Sequence, residues 1–225
     1  MQTSASVSEE QSTYHYNELP DRAKEVARNH YIEHWLHDDW YDYIYADAKD
    51  GGAVKGFEIE DINFSGFWSQ GDGAMWIGDV NLPEFIECHL DESIGRECWL
   101  WLIEDGWVYD RVSIHRTSHH YAHSNTMGVT SIEPAAYDEE DKLNVDCILK
   151  GAPVETLYNL IVADTACPIK DISDLEELVL DAARAYANTI YDRLRDGYEH
   201  ECSEEQISEC YDANNILFNE EGKVI

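Results

Sequence analysis

FEIEDINFSGFWSQGDGAMWIGDV, residues Phe57 to Val80, carries the change of period that decides the fold. Upstream of it, apolar residues recur at helical spacing; from Phe57 they alternate, as in a strand with one buried face. The apolar phase shifts between Ile59 and Ile62, which predicts a bulge or a late strand start. Asp72-Gly73 tolerates positive φ, so it reads as a tight hairpin tip between FEIEDINFSGFW and the return strand AMWIGDV. The same SQGDG raises a chemical question, because glycines that expose backbone N–H groups can cradle a phosphate. A phosphate loop opens into a helix with a cation nearby, whereas this one leads into a strand and carries Asp72, whose carboxylate opposes an anion. Backbone geometry at a hairpin tip is the better reading of its glycines.

Working outward, NELPDRAKEVARNHYIEHWLHDD places Leu19, Ala23, Val26, Ala27, His30, His34 and His37 on one helical face, with Pro20 in the first turn. DDWYDYIYADA reads as a second helix, with Leu36, Trp40, Tyr43, Ile44 and Asp47 along one side and GGAVKG as its end. After the hairpin, LPEFIECHL predicts a short helix, and ECWLWLIEDGW fits a helix somewhat better than a strand. WVYDRVSIHRT alternates, with Val108, Val112 and Ile114 on one face; TMGVTSI and NVDCIL are further strands, joined by YDEEDK. PVETLYNLIVAD reads as a helix. Ser173 with Glu176 forms a capping-box pattern for a long helix from Asp174 to about Tyr198, and Ser203 with Gln206 repeats it for a shorter one. The tail NILFNEEGKVI reads as a small strand or hairpin that packs back.

No internal repeat or Pro-rich linker interrupts this order. The expectation is an α+β fold behind a flexible leader at residues 1–16, with residues 17–225 as a single domain. N-terminal helices lead into a central antiparallel sheet of about four to five strands, and C-terminal helices follow.

Charge is the strongest global signal. The 225 residues carry 47 Asp and Glu against 15 Lys and Arg, a net charge of −32, and residues 171–225 hold 15 acids and 4 bases. Such a chain repels a polyanion, which argues against nucleic acid as a direct partner, and it attracts basic surfaces. At 44% hydrophobic residues, with seven Trp and fourteen Tyr, the acidity rides on a folded scaffold. Cys88, Cys98, Cys147, Cys167, Cys202 and Cys210 are scattered without a CxxC pair, so free thiols are expected. MQTSASVSEEQS has no signal-peptide character, and no apolar run approaches membrane-spanning length. A protein of a reducing cytoplasm, away from membranes, follows. No cofactor is expected, and self-association is compatible with the sequence.

Phe64, Ser65, Gly66, Ser69, Gln70, Gly71, Asp72, Gly73 and Ala74 form a first motif, Tyr121, His123 and Met127 a second, and Phe218 and Gly222 a third. In these, and in the order of elements over roughly residues 17–225, the chain resembles a family of tailed-phage and prophage proteins of uncharacterised activity. The resemblance implies a phage accessory protein made in the host bacterial cytoplasm. Trp76 and Ile77 depart from it, since such proteins often carry smaller or polar residues there, and so does the net charge.

Three constellations remain. His30, His34 and His37, at i, i+4 and i+7, could ligate a metal with Asp38 behind them, although their place beside Leu19 and Val26 fits half-buried packing better. His115, His119, His120 and His123 form a second cluster. Asp72 or Gln70 could work with His123 as an acid–base pair, while Ser65 and Ser69 lack a nucleophile-elbow pattern.

The third constellation is acidic. Asp38, Asp39 and Asp42 precede the sheet; Asp174, Glu177, Asp181, Asp192 and Asp196 line the long helix, and Glu199, Glu201, Glu204, Glu205 and Glu209 follow. Duplex DNA presents about one negative charge per 1.7 Å of axis, and carboxylates on rigid helices can imitate that field. The leading expectation is therefore an inhibitor of a basic or nucleic-acid-binding host protein, with Tyr41 and Tyr45 as exposed contacts. A metal-binding protein or metal-dependent enzyme using a histidine cluster, an antitoxin-like partner and a generally solvated, salt-adapted surface are the alternatives.

Overall fold

The computed structural model describes residues 12–36, 39–90, 111–131 and 172–225. The expected α+β class holds: helices precede and follow a four-stranded antiparallel sheet. The elements are α1 (Asp21–His34), α2 (Asp42–Ala53), β1 (Phe57–Phe64), β2 (Ala74–Asn81), α3 (Leu82–His89), β3 (Arg111–Arg116), β4 (Met127–Ser131), α4 (Ile172–Glu201) and α5 (Glu204–Ala213). ECWLWLIEDGW, Val108, YDEEDK, NVDCIL and PVETLYNLIVAD lie outside the described residues. Two compact units share the chain. Tyr43–Arg193 forms one, and Met1–Asp42 with Leu194–Ile225 forms the other.

In the sheet unit, strands follow chain order, β1-β2-β3-β4. The register of β1 on β2 slips between Ile59 and Asp61, which places the anticipated bulge at Glu60 and accounts for the phase change toward Ile62. Trp76 is the centre of this core. Its ring is fully buried, it packs on Phe57 at 5.2 Å between centroids, and its Nε1–H donates to the Ala183 carbonyl of α4 at 3.1 Å. Tyr186, further along α4, donates to the Ala48 carbonyl of α2 at 2.7 Å, and Arg184 donates to the Met127 carbonyl of β4 at 3.0 Å, so three polar bonds fix α4 on this core. The N-terminus of α3 is set by Asn81, whose side chain accepts from the Glu84 N–H, with Pro83 in the first turn.

In the helical unit, Tyr211 of α5 plays the corresponding part. It is fully buried among Tyr16, Tyr31, Trp35 and Phe218 and donates its hydroxyl to the Ala27 carbonyl at 2.9 Å. α5 begins where expected: Ser203 Oγ accepts from the Gln206 N–H at 3.2 Å. The tail packs back as expected, through bridges from Phe218 to Tyr14 and to Val224.

Several expectations need correction. Order begins before Asn17: Tyr14 pairs with Phe218 and Tyr16 is buried, because the tail needs an edge partner and the Tyr211 cluster needs a ring. Of the expected face, Leu19, Ala23 and Ala27 are buried and His30 is half-buried, as anticipated, but Val26 and His34 are exposed and Tyr31 completes the core stripe of α1 instead. Two alanines admit Tyr211 and the tail closely, and Tyr31 then fills the space. In α2 the buried positions are Ile44, Ala48 and Gly52, while Tyr43 and Asp47 are exposed. Gly51 and Gly52 continue α2 instead of ending it, since a Cβ at Gly52 would come within 2.9 Å of Ile59 Cδ1. α4 starts at Ile172, so Ser173 lies inside its first turn and is not the cap.

Candidate functional site

Antiparallel strands in chain order bring the β1–β2 and β3–β4 connections to the same end of the sheet. The first and second sequence motifs meet there. Asp72-Gly73 is not a two-residue hairpin tip: the connection is the whole of residues 65–73, closed by the Ser65 N–H to the Gly73 carbonyl at 3.0 Å. Gly66, Trp68 and Gly71 take the positive φ values, 64°, 69° and 94°. The apolar run of FSGFW reads like strand, but left-handed backbone at Gly66 ends pairing after Phe64.

Within this loop each motif residue has a structural task. Asp72 Oδ2 accepts the Ser69 N–H at 2.6 Å, and the Asp72 N–H returns to the Ser69 carbonyl at 3.2 Å. Ser65 Oγ donates to the Ala122 carbonyl at 3.1 Å and so ties the loop to its neighbour. Gly73 is required by close approach: a Cβ there would lie 2.6 Å from His123 Cδ2. Gln70 is exposed at the tip.

His123 Nδ1 accepts the Asn125 N–H at 3.0 Å, which makes Nδ1 the unprotonated nitrogen and Nε2 the N–H of the neutral ring. Its basic nitrogen is thus occupied by backbone, and the carboxylate of Asp72 is occupied by Ser69. The arrangement organises two loops more readily than it moves a proton. Arg116, at the end of β3, donates to the carbonyls of Ser118 and Tyr121, at 2.5 and 3.1 Å.

The first histidine cluster is divided. Tyr211 gives its only hydroxyl proton to Ala27, so the 3.1 Å contact with His30 Nδ1 has His30 as donor. The His30 and His34 rings stand 4.8 Å apart; burial and then the neighbouring His34 push the His30 pKa down. His37 and Asp38 lie outside the described residues. In the second cluster, His115 Nδ1 meets Thr130 Oγ1 at 3.3 Å, while His119 and His120 are exposed. Among the described residues no group of three or more His, Cys, Asp or Glu is placed to hold a metal. Cys88, Cys202 and Cys210 are free thiols, exposed, buried and half-buried respectively.

The acidic residues of α4 are ordered by the helix itself. Asp174, Glu177, Asp181, Asp192, Asp196 and Glu199 fall within about 100° of one another at 3.6 residues per turn. Leu175, Val179, Ala183, Ala187, Ile190 and Leu194, all buried, occupy the other side. Glu177, Asp181, Asp192, Asp196 and Glu199 are exposed and Asp174 is half-buried. Asp196 meets Arg195 at 3.3 Å. Beyond α4, Glu201 is half-buried, and Glu204, Glu205 and Glu209 are exposed on α5, with Glu204 3.7 Å from Lys24. Asp39 and Asp42 are exposed.

Tyr41 and Tyr45 are half-buried, contrary to their expected role as exposed contacts. Among the described residues the large exposed rings are instead Tyr43, Trp68 and Tyr121, at 56%, 68% and 55% exposure. No sequence signal separates Trp68 from Phe67, the adjacent ring of the same loop, which packs on Phe64 and on Tyr191 of α4. Among the described residues no helix is long and apolar enough to cross a membrane.

A model for a domain of unknown function, DUF8835, matches residues 40–204. No curated protein and no solved structure matches the chain. The matched span covers more than half of the chain and contains the sheet, both sheet-end loops and all of α4; the protein belongs to the DUF8835 family.

Proposed function

We propose that this protein is a phage-encoded accessory factor that acts by binding, occupying the nucleic-acid-binding surface of a basic host protein in the bacterial cytoplasm. The observation that supports this reading is the carboxylate side of α4, where acidic side chains follow one another along one helix. A net charge of −32 steers a cationic partner toward it, and a partner whose groove already accepts phosphates finds carboxylates in their place. Inhibition of a defence enzyme is the role such competition would serve. The test is retention of proteins from a bacterial lysate on the immobilised chain, with and without duplex DNA as competitor. The expected result is a DNA-binding protein that added DNA displaces; retention indifferent to DNA contradicts the reading.

One observation favours a second reading, a solvation surface of the salt-adapted kind. Exposed carboxylates also occupy α1 (Glu25, Glu33), α2 (Asp47, Asp50) and β1 (Glu60, Asp61). A surface of that kind gains thermal stability steeply in molar potassium chloride, whereas a binding face loses affinity there.

A further inference from the structure

We propose that His30 and His34, the first oriented by Tyr211, form a two-imidazole site on α1 for a divalent transition-metal ion of the zinc, nickel and copper group, with the remaining coordination positions left to water. The site does not depend on the binding role above. Residues four apart in a helix stand one above the other, and these two ring centres are 4.8 Å apart. A metal–nitrogen bond of about 2.0–2.1 Å puts the ion about 3.2 Å from each ring centre, so ligand angles of about 90° to about 110° need ring centres about 4.5–5.2 Å apart. The observed spacing lies inside that range.

His30 is already held as a ligand is held. Its Nδ1–H donates to the Tyr211 hydroxyl at 3.1 Å, and Tyr211 donates in turn to the Ala27 carbonyl at 2.9 Å. With Nδ1 protonated, the neutral ring carries its lone pair on Nε2, at the edge turned away from Tyr211. Metal-binding histidines are oriented in this way, by an acceptor for the N–H that the metal does not use. Tyr211 is fully buried, so the acceptor is fixed by the core of the helical unit, while the half-buried His30 reaches solvent.

His34 supplies the adaptable half. It is exposed, and its Nε2 stands 3.9 Å from the carboxylate of Glu33, which adds negative charge beside a coordinating nitrogen. The net charge of −32 gathers cations of every kind near the surface. Paired imidazoles then choose among them, because magnesium and calcium prefer oxygen whereas zinc, nickel and copper take nitrogen.

The test is calorimetric titration of nickel chloride into the full chain in excess magnesium chloride, which occupies carboxylates and leaves imidazoles free. The expected result is one tight site per chain, lost in His30→Gln and in His34→Gln, and kept in a His119→Gln/His120→Gln control. Tyr211→Phe, which leaves both ligands in place and removes the acceptor for Nδ1–H, should weaken binding about tenfold. Because His34 is exposed, its replacement leaves the core intact, and nickel should raise the melting temperature of the parent chain but not of His34→Gln. No tight site in the parent, a site that survives either single change, a site lost with His119 and His120, or full affinity in Tyr211→Phe would overturn the proposal.

Discussion

Tyr211 in the helical unit and Trp76 in the sheet unit solve the same problem in different surroundings. Each is a fully buried ring with one polar hydrogen, and each gives that hydrogen to a helix carbonyl, Ala27 in one unit and Ala183 in the other. The polar handle turns a large apolar surface into an oriented one. The difference lies in what the ring joins. Trp76 lies on a central strand and fastens a helix to the sheet; Tyr211 lies on a helix and gathers α1, the first turn at Tyr16 and the tail strand at Phe218. The sheet hub falls inside the DUF8835 match, whereas Tyr211 lies beyond its end at residue 204. The matched span holds α2, the sheet, α3 and α4, whereas α1 and most of α5 fall outside it.

The sharpest way to break this parallel is Trp76→Ala. Removing a fully buried indole should cost about 3–5 kcal/mol, read from the urea midpoint, and a cost under about 1 kcal/mol would deny it the central place in its unit. Tyr211→Phe keeps the ring and removes only the hydroxyl, so a loss of about 1 kcal/mol is expected. A loss as large as that of Trp76→Ala would mean that the hydrogen bonds, and not the ring, organise the helical core.

A smaller effect, read by pH, is expected at both hubs. His30, beside Tyr211, has its pKa lowered from 6.5 by burial and by His34. The unfolded chain then takes up the proton first, so folding stability is full above about pH 6.5 and declines as the pH falls toward the lowered folded value. His89, against Phe85 and Phe57, is lowered in the same direction by burial and by Lys55. Melting curves at about pH 7.5 and about pH 5.5 should show a smaller drop in His30→Gln than in the parent chain. An equal drop would remove His30 from the account.

The sequence made the sheet readable where alternation and burial coincide. Phe57 and Ile59 alternate, Glu60 breaks the phase, and Ile62 resumes it, which is the bulge seen against Gly78 and Ile77. It misled where a local signal had two physical causes. Gly51-Gly52 looks like a helix end, but these glycines serve close packing inside α2. Phe67 and Trp68 prolong an apolar run, yet one anchors a loop and the other is exposed. His30 and His34 share the spacing of ligands, while the core chose Tyr31 on the adjacent side. The acidic side of α4 was legible residue by residue, because a charged stripe opposite an apolar one needs only helical periodicity. The meeting of SQGDG with His123 was not, since it depends on strand order.

The central claim is that position, not sum of charge, makes α4 a binding face. It is tested most directly by comparing two variants that lose the same number of negative charges: Glu177→Gln, Asp181→Asn, Asp192→Asn and Glu199→Gln on α4, against Glu25→Gln, Glu33→Gln, Glu60→Gln and Glu87→Gln elsewhere. Affinity for the DNA-binding protein retained from lysate should collapse in the first and change little in the second. Equal losses in both, or none in the first, would contradict the account.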